Sequence, residues 1–423
     1  MKRKFTLACV LACALGMGGL SACGGEKYDY KLTVWAAEAA KPLTESQAKE
    51  WAAAIKESDG KTVKITVSAV GEGDAASSMI NDVEAGADVF CFAQDQLARL
   101  RSAGALTEIV DANLKASLKK ANDEMSYSAA TIGNDNLVAF PLTSDNGFFM
   151  YYDASLFTDT SKLRNMSDII EVCKAAGRKI YFNNTSAWYN AAYFFGAGCV
   201  SEWEINDAGL FTGYNDTYNS AKGVKAMKAL YELVGTNKDL VIDSASSSEA
   251  FGKDASGKIV AGVCISGTWD AADVKVALGS NLGAVKLPQV TVGEESFELA
   301  SFKGCKLMGV KPQKDSTKAA YAQNLAKYLT SEAKQLERYK TLGWGPSNLV
   351  AQQDSEVKAD PILKALYEQN AKETTVIQGQ YPGDWWTTAG NLAESLAATD
   401  GSESKIKALL KGYEATISSY VNG

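Results

Sequence analysis

Short apolar runs alternate with amphipathic segments along most of the chain, and this order predicts strands that alternate with helices. Five runs have the composition of strands, namely KLTVW, TVKITVSAV, DVFCF, KIYF and KIVAGVCIS. Segments with apolar residues at helical spacing lie among them, including 43–58, 75–85, 187–197 and 218–235. From Thr317 to the end the pattern is almost entirely helical. The alternation predicts open α/β sheets with helices on both faces.

Loops after the predicted strands gather polar and aromatic side chains. In open α/β sheets, ligands bind beyond the carboxyl ends of the strands. Trp35 and Phe92 end two of the strands and are candidates for ligand contact, and further loops follow Leu142, Phe182 and Ser266. These loops hold most of the other candidate ligand-binding residues: Glu38, Lys41, Gln94, Asp95, Asp145, Asn146, Asn184, Trp188, Tyr189 and Trp269.

Tryptophans in or near these loops predict a surface that binds a sugar ring. A flat aromatic ring covers the apolar face of a sugar at low entropic cost, and carboxylates or amides can bond to the hydroxyls at its rim. The alternative is that the rings fill hydrophobic cores. Apolar residues at helical spacing continue the face of Trp385, so Trp386 is predicted to be the freer ring of that pair. The candidate rings are Trp188, Trp269, Trp344, Trp385 and Trp386.

The composition argues against several kinds of chemistry. The chain has no histidine, which removes the commonest general base and metal ligand. No cluster of cysteines and carboxylates suggests a metal, no cofactor is predicted, and the turn GEGDAAS is not a phosphate-binding loop. Asp95, Asp145 and Asp270 are the carboxylates that a glycosidase could use. Single aspartates at loop starts are more often caps, so we predict a protein that is not an enzyme.

The N-terminus has the pattern of an export signal. Three basic residues precede an uncharged run that is too short and too rich in glycine for a membrane-spanning helix. The run ends in LSAC, which resembles the lipobox of bacterial lipoproteins. That resemblance implies cleavage after residues 1–22, a diacylglycerol on Cys23 and a tether over 23–30. We therefore expect the protein at the extracellular face of the cytoplasmic membrane, which it would touch only through the lipid.

Charge and cysteine content refine this picture. The whole chain has a formal charge of −7, and removal of residues 1–22 changes it to −10, which argues against nucleic acid as a partner. Five cysteines remain beside the lipidated one, at spacings too wide for a metal or redox motif. We predict that they are inert thiols in hydrophobic cores rather than a disulfide framework: Cys91, Cys173, Cys199, Cys264 and Cys305.

Three stretches in this order resemble bacterial extracellular solute-binding proteins of ABC importers. They are GADVFCFAQDQLARLRSAGALTEI, LVAFPLTSDNGFFMYYDASLF and FGKDASGKIVAGVCISGTWDAADV. The branch with maltose- and maltodextrin-binding proteins is the most similar. In that branch, a lysine after the first strand, an aromatic-acidic loop, an acidic residue at the first crossing and aromatic rings in the second lobe contact the sugar. Residues of this chain match those positions: Lys41, Phe92, Gln94, Asp95, Asp145, Trp188, Trp269, Trp385 and Trp386. Two positions depart from the pattern, since Gln96 replaces a basic residue and Ser186 an acidic one.

The resemblance also implies a two-lobe periplasmic-binding-protein fold of type II with three crossings between the lobes, near 143–147, 286–300 and 343–350. The first lobe would hold 31–143 plus 289–345, and the second 144–288 plus 346–423. A monomer that binds maltose-type oligosaccharides and passes them to permease subunits is the leading interpretation. Another oligosaccharide or a small polar solute, a surface glycoside hydrolase, and an adhesin or partner-binding lipoprotein are the alternatives.

Overall fold

The computed structural model describes residues 27–133, 135–243, 249–371 and 375–421. The predicted signal peptide and the lipidated Cys23 lie outside the described residues. The strands of the described residues are β1 (Tyr30–Ala36), β2 (Val63–Ala69), β3 (Val89–Ala93), β4 (Thr131–Ile132), β5 (Asn136–Leu137), β6 (Phe140–Thr143), β7 (Phe149–Asp153), β8 (Lys179–Tyr181), β9 (Ser201–Ile205), β10 (Phe211–Asp216), β11 (Val241–Ile242), β12 (Ala261–Ser266), β13 (Leu282–Val285), β14 (Gln289–Val292), β15 (Glu295–Glu298), β16 (Phe302–Lys303), β17 (Lys306–Val310) and β18 (Val376–Ile377).

Helices follow many of these strands, in line with the predicted alternation. They are α1 (Lys41–Asp59), α2 (Ala75–Asn81), α3 (Leu97–Ser102), α4 (Ala112–Ala121), α5 (Glu124–Ala129), α6 (Met166–Ala176), α7 (Ala187–Gly196), α8 (Ala221–Tyr231), α9 (Ala271–Leu278), α10 (Ser316–Leu329), α11 (Glu332–Leu342), α12 (Ser355–Ala359), α13 (Pro361–Asn370), α14 (Gly383–Ala397) and α15 (Glu403–Ile417). Short 3₁₀ turns over Gln94–Gln96 and Thr268–Asp270 connect strands to helices at the site described below. No helix within the described ranges is long and apolar enough to cross a membrane.

The first lobe is built on a five-stranded sheet in the order β2-β1-β3-β17-β6. β1 is parallel to β2 and β3, whereas β17 is antiparallel to β3 and β6. All five residues of β3 are buried, because neighbouring strands cover both its edges and the lobe packs on both its faces. This explains why the sequence of β3 is a continuous apolar run rather than an alternating one.

The second lobe is built on another five-stranded sheet, in the order β11-β8-β12-β7-β13. β12 is parallel to β8 and antiparallel to β7. Helices α7, α8, α14 and α15 pack together in the larger hydrophobic core of this lobe. The two mixed sheets confirm the two-lobe α/β architecture that the sequence predicts.

The second passage between the lobes differs from the predicted one. The β14–β15 hairpin contributes Val290 to the core of the second lobe, and Leu299 and Phe302 lie in the same core. The chain therefore returns to the first sheet only between β16 and β17, later than the predicted crossing near 286–300. The assignment of 289–302 to the first lobe is wrong for this reason. The other passages occur between β6 and β7 and in the segment after α11.

The five cysteines of the described chain are free and buried. Burial raises the pKa of the Cys91 and Cys173 thiols to about 12 and that of Cys199 to about 11. Burial also raises the pKa values of the Cys264 and Cys305 thiols well above the ordinary one. The prediction of inert core thiols is confirmed.

Candidate ligand-binding cleft

A cavity of about 540 Å³ lies between the two lobes, at the carboxyl ends of the parallel strands. The first lobe supplies the loop after β2, the turn after β3 and the first residue of β17. The second lobe supplies three tryptophans, the first crossing supplies Asn146, and the segment between β18 and α14 supplies Gln378. The lining residues are Glu72, Gly73, Ala93, Asp95, Gln96, Asn146, Trp188, Trp269, Lys306, Gln378 and Trp386.

Three indole rings form one wall of the cavity. Trp188 lies in the first turn of α7, Trp269 in the 3₁₀ turn after β12, and Trp386 in the first turn of α14. The ring centres of Trp188 and Trp269 are 6.5 Å apart, and those of Trp188 and Trp386 are 6.3 Å apart. All three rings are partly exposed. Three elements that are far apart in sequence therefore present one aromatic surface to the cavity.

Aromatic neighbours hold this wall in place from behind. Trp188 stacks on Phe302, with ring centres 4.9 Å apart and an angle of 17° between the ring planes. The ring centre of Trp386 lies 5.9 Å from that of the same phenyl ring. Trp269 folds back over Gly267, where a Cβ atom would come within 2.2 Å of the indole. A side chain at position 267 would therefore displace the ring, which explains the glycine in the SGTW turn.

Amides and a carboxylate form a polar wall of the same cavity. Gln378 donates to Asp95 Oδ1 at 2.7 Å, and Asn146 donates to Gln378 Oε1 at 2.9 Å. Gln94 donates to the backbone carbonyl of Gln378 and accepts from the N–H of Cys305 at 2.7 Å. This network joins the turn after β3 to the segment before α14, so it fixes the polar wall relative to the aromatic one.

Asp95 is the most strongly perturbed carboxyl group of the cavity wall. Burial raises its pKa from 3.8 to about 7, although Arg99 and the indole of Trp386 act in the opposite direction. The group is 4% exposed, so few water molecules can stabilise its charge. The carboxylate form of Asp95 can accept a hydrogen bond from a hydroxyl group, and the protonated form, which burial favours, can donate one.

The raised pKa predicts a pH dependence of stability that belongs to Asp95. The folded protein keeps a proton on Asp95 that the unfolded chain releases above about pH 4. The contribution of this proton to the free energy of unfolding is therefore complete below the unfolded pKa and is lost as the pH rises through about 7. Between pH 5 and pH 8, we expect the free energy of unfolding to fall by about 2–3 kcal/mol more in the wild type than in Asp95→Asn. Urea titrations at both pH values measure the difference. Equal pH dependence in the two proteins would contradict it.

Gln96 holds the loop that forms one edge of the cavity. Its amide donates to the carbonyls of Glu72 and Gly73, both at 2.7 Å, and accepts from the N–H of Ala76 at 2.8 Å. Gln96, which stands where the similar family has a basic side chain, thus stabilises the loop after β2. Its side chain faces the cavity but its polar atoms are already bonded to the backbone.

Several predicted ligand-binding residues lie behind the cavity wall instead of on it. Phe92 and Asn184 are 0% exposed, and the amide of Asn184 is bonded to Phe182 and Tyr193. Trp385 is also 0% exposed and donates to the hydroxyl of Tyr413, so Trp386 is the more exposed ring of the pair, as its helical position predicts. The other buried residues of this group are Gln94, Asp145 and Trp344.

The remaining predicted residues are closer to the surface but do not line this cavity either. Trp35 packs edge-on against Phe90 in the first sheet. Glu38 is exposed and Lys41 is half-buried at the start of α1. Tyr189 turns into the second core, where it contacts Phe148. Of the fifteen predicted residues, the structure brings together Asp95, Asn146, Trp188, Trp269 and Trp386.

Sequence reasoning missed Glu72, Lys306 and Gln378. Glu72 follows β2, which is parallel to β1. The rule that ligands bind beyond the carboxyl ends of parallel strands would have identified Glu72 if it had been applied to β2 as well. Lys306 begins an antiparallel strand, whose amino end meets the same edge of the sheet. Gln378 lies in an extended segment inside a region predicted to be helical, and no sequence signal identifies it. No group of three potential metal ligands occurs among the described residues.

Comparisons with known proteins find similar sequences and structures. A sequence model described as bacterial extracellular solute-binding protein matches residues 50–365. The maltodextrin-binding protein MalE1 of L. casei BL23, solved without ligand, aligns at 21% identity over 92% of this chain and 98% of its own, with a TM-score of 0.72. The maltose/maltodextrin-binding domain MalE of Bdellovibrio bacteriovorus bound to maltotriose aligns at 17% identity over 93% and 100%, with a TM-score of 0.74.

A third solved structure extends the same likeness. The maltose-maltodextrin binding protein of the thermoacidophilic bacterium Alicyclobacillus acidocaldarius aligns at 19% identity over 91% of this chain and 100% of its own, with a TM-score of 0.72. A search of curated protein sequences finds no match. At these identities the solved structures show the fold of the chain.

Proposed function

Because the chain belongs to the bacterial extracellular solute-binding protein family, we propose that it binds a maltodextrin-type oligosaccharide between its lobes and delivers it to an ABC importer. The observation that carries the proposal is that Trp188, Trp269 and Trp386 form an aromatic wall in the same cavity as several hydrogen-bonding groups. Indole faces suit the apolar face of a sugar ring, and the polar wall suits its hydroxyl groups. The cavity volume of about 540 Å³ lies within the usual range for small-molecule sites.

Closure of the two lobes around the ligand follows from the division of the site. Asp95 belongs to the first lobe, whereas the tryptophans belong to the second. A sugar that contacts both walls stabilises the closed arrangement by the contacts that it makes only there. A micromolar ligand would bind with about −8 kcal/mol, which stacked rings and several hydroxyl bonds can supply after ordering costs.

We further propose that a lipid on Cys23 anchors the protein at the extracellular face of the cytoplasmic membrane as a monomer. The sequence LSAC at residues 20–23 supports this assignment. A diacylated cysteine carries the two acyl chains that stable anchoring generally takes. Mass spectrometry of the mature N-terminus tests the modification directly. The permease subunits would be the protein partners.

Titration with matched sugars tests the proposed ligand. We expect maltose, maltotriose and maltotetraose to change the tryptophan fluorescence and to release heat in calorimetry, because the cavity tryptophans would be covered. Cellotriose has the same composition with a different linkage and serves as the control, with at least about tenfold weaker binding expected, a difference of about 1.4 kcal/mol. No response to maltotriose or longer chains would reject the maltodextrin assignment. A response to another solute would support the broader alternative, and shorter products after incubation would indicate a hydrolase.

A further inference from the structure

Lys306 is a buried cation on the wall of the cavity. The residue is 3% exposed and begins β17. Its ammonium lies 3.7 Å from the ring centre of Trp344 and 5.8 Å from that of Trp269. The nearest carboxylate oxygen is Glu72 Oε1 at 3.7 Å, which is beyond hydrogen-bond distance. Lys306 thus faces the cavity, and its ionic partner Glu72 is too far away to form a hydrogen bond with it.

The hydrogen-bonding capacity of this pair is not used inside the protein. No hydrogen bond to the Lys306 ammonium occurs in the part of the chain that the structure describes, and Glu72 Oε1 is buried without a hydrogen-bond partner there. An ammonium carries three donors and a carboxylate accepts several bonds. The Trp344 ring offsets part of the cost of burying the charge but accepts no ordinary hydrogen bond. Both groups are therefore poised for a partner that occupies the cavity.

The surrounding charges favour a neutral partner. Lys306 and Glu72 compensate each other, and the buried Arg338 guanidinium interacts with both Glu72 and Asp145. An added anion would meet Glu72, and an added cation would meet Lys306, each at a buried position where unpaired charge is costly. A hydroxyl group adds no charge, and it can both accept a bond and donate one.

We propose that Lys306 and Glu72 together bind two adjacent hydroxyl groups of a neutral sugar ring that stacks on Trp269. One hydroxyl accepts from the ammonium and the other donates to the carboxylate, so the pair selects sugars with a vicinal diol at this position. This inference rests on the proposed function, and it makes the two residues determinants of specificity. Charge-assisted bonds of this kind are about twice as strong as neutral ones.

Calorimetry with maltose and a set of monodeoxy maltoses tests the pair. Lys306→Met and Glu72→Gln should each weaken maltose binding about 10- to 50-fold, the usual effect of losing a charged hydrogen-bond partner. The double variant should lose little more than either single variant, because the two groups act on one diol. At least one monodeoxy maltose should bind the wild type about tenfold more weakly than maltose does, yet bind Lys306→Met as well as maltose does.

Controls separate this inference from the proposed function and from misfolding. Lys303→Met alters a lysine three residues earlier that does not line the cavity, and its affinity for maltose should equal that of the wild type. The double variant removes both members of the Lys306–Glu72 pair, so neither is left without the other, and it keeps the test valid if a single variant unfolds. Suppose that the wild type binds maltose and that the affinity of every variant lies within about threefold of the wild-type affinity, a difference of under about 0.7 kcal/mol. In that case this inference fails while the proposed function stands. Tighter binding of charged sugars than of neutral ones also overturns this inference. If no neutral sugar binds the wild type, both proposals fail.

Discussion

Replacement of Trp269 by alanine should weaken maltotriose binding by about 100-fold or more. Among the three rings, Trp269 lies closest to the Lys306 ammonium and is set on the cavity wall by the tight turn at Gly267. One indole face that covers roughly 100 Å² of sugar contributes about 2.5 kcal/mol by area alone, and the bonds that it aligns would add to this. Isothermal calorimetry on both proteins measures the loss.

A second tryptophan provides the matched control for this experiment. Trp35 is also partly exposed, but it packs against Phe90 in the first sheet and does not line the cavity. Trp35→Ala should therefore leave the affinity for maltotriose unchanged even if it lowers the melting temperature. Unchanged affinity in Trp269→Ala, with binding intact in the wild type, would assign the Trp269 ring to packing alone.

Replacement of Asp145 by alanine should cost about 3–5 kcal/mol of folding free energy, as expected when a buried charged partner is removed. Its carboxylate is 1% exposed and accepts hydrogen bonds from the Thr268 hydroxyl and from the N–H of Gly345, both at 2.6 Å. Asp145 lies in the first crossing, Thr268 in the second lobe and Gly345 in the third crossing. The substitution leaves both donors buried without an acceptor, and Arg338 loses a compensating charge. Chemical denaturation followed by circular dichroism measures the loss.

Thr268→Val isolates one of the two bonds to Asp145. The valine keeps the shape of the threonine but removes its hydroxyl, so the expected loss is smaller, about 1–3 kcal/mol. A denaturation midpoint of Asp145→Ala equal to that of the wild type would show that these bonds do not hold the crossings together. The prediction also separates Asp145 from the cavity lining, since its side chain does not line the cavity and its Oδ2 is already bonded within the protein.

The order of elements could be predicted from the sequence because local patterns determine it. The continuous apolar run of β3 and the alternation in β2 reflect how many faces of each strand are buried, which is a local property. The β9–β10 and β14–β15 hairpins are different, because a local pattern such as the buried–exposed alternation of β9 does not show which lobe a hairpin packs against. The core residues against which these hairpins pack lie elsewhere in the chain, so the sequence did not indicate which lobe contains 289–302.

The site was predictable where a rule about strand ends or the pattern of a helical face applied. Asp95, Trp188 and Trp269 follow the ends of β3, β8 and β12, where topology brings loops together. Position after a strand alone cannot say whether a side chain points into the cavity or into a core, which is the difference between Trp269 and Phe92, whereas the helical pattern did distinguish Trp386 from Trp385. Lys306 and Gln378 reach the cavity through an antiparallel strand and an extended segment, and both depend on long-range pairing.

The burial of all five described thiols has a practical consequence for following lobe closure in solution. Thiol reagents attack the thiolate, and the raised pKa values leave almost none of it at neutral pH. A single cysteine introduced at an exposed position of either lobe would therefore be the one readily labelled thiol among the described residues. A pair of such labels would report the distance across the cleft by energy transfer, with every native residue of the cavity left in place.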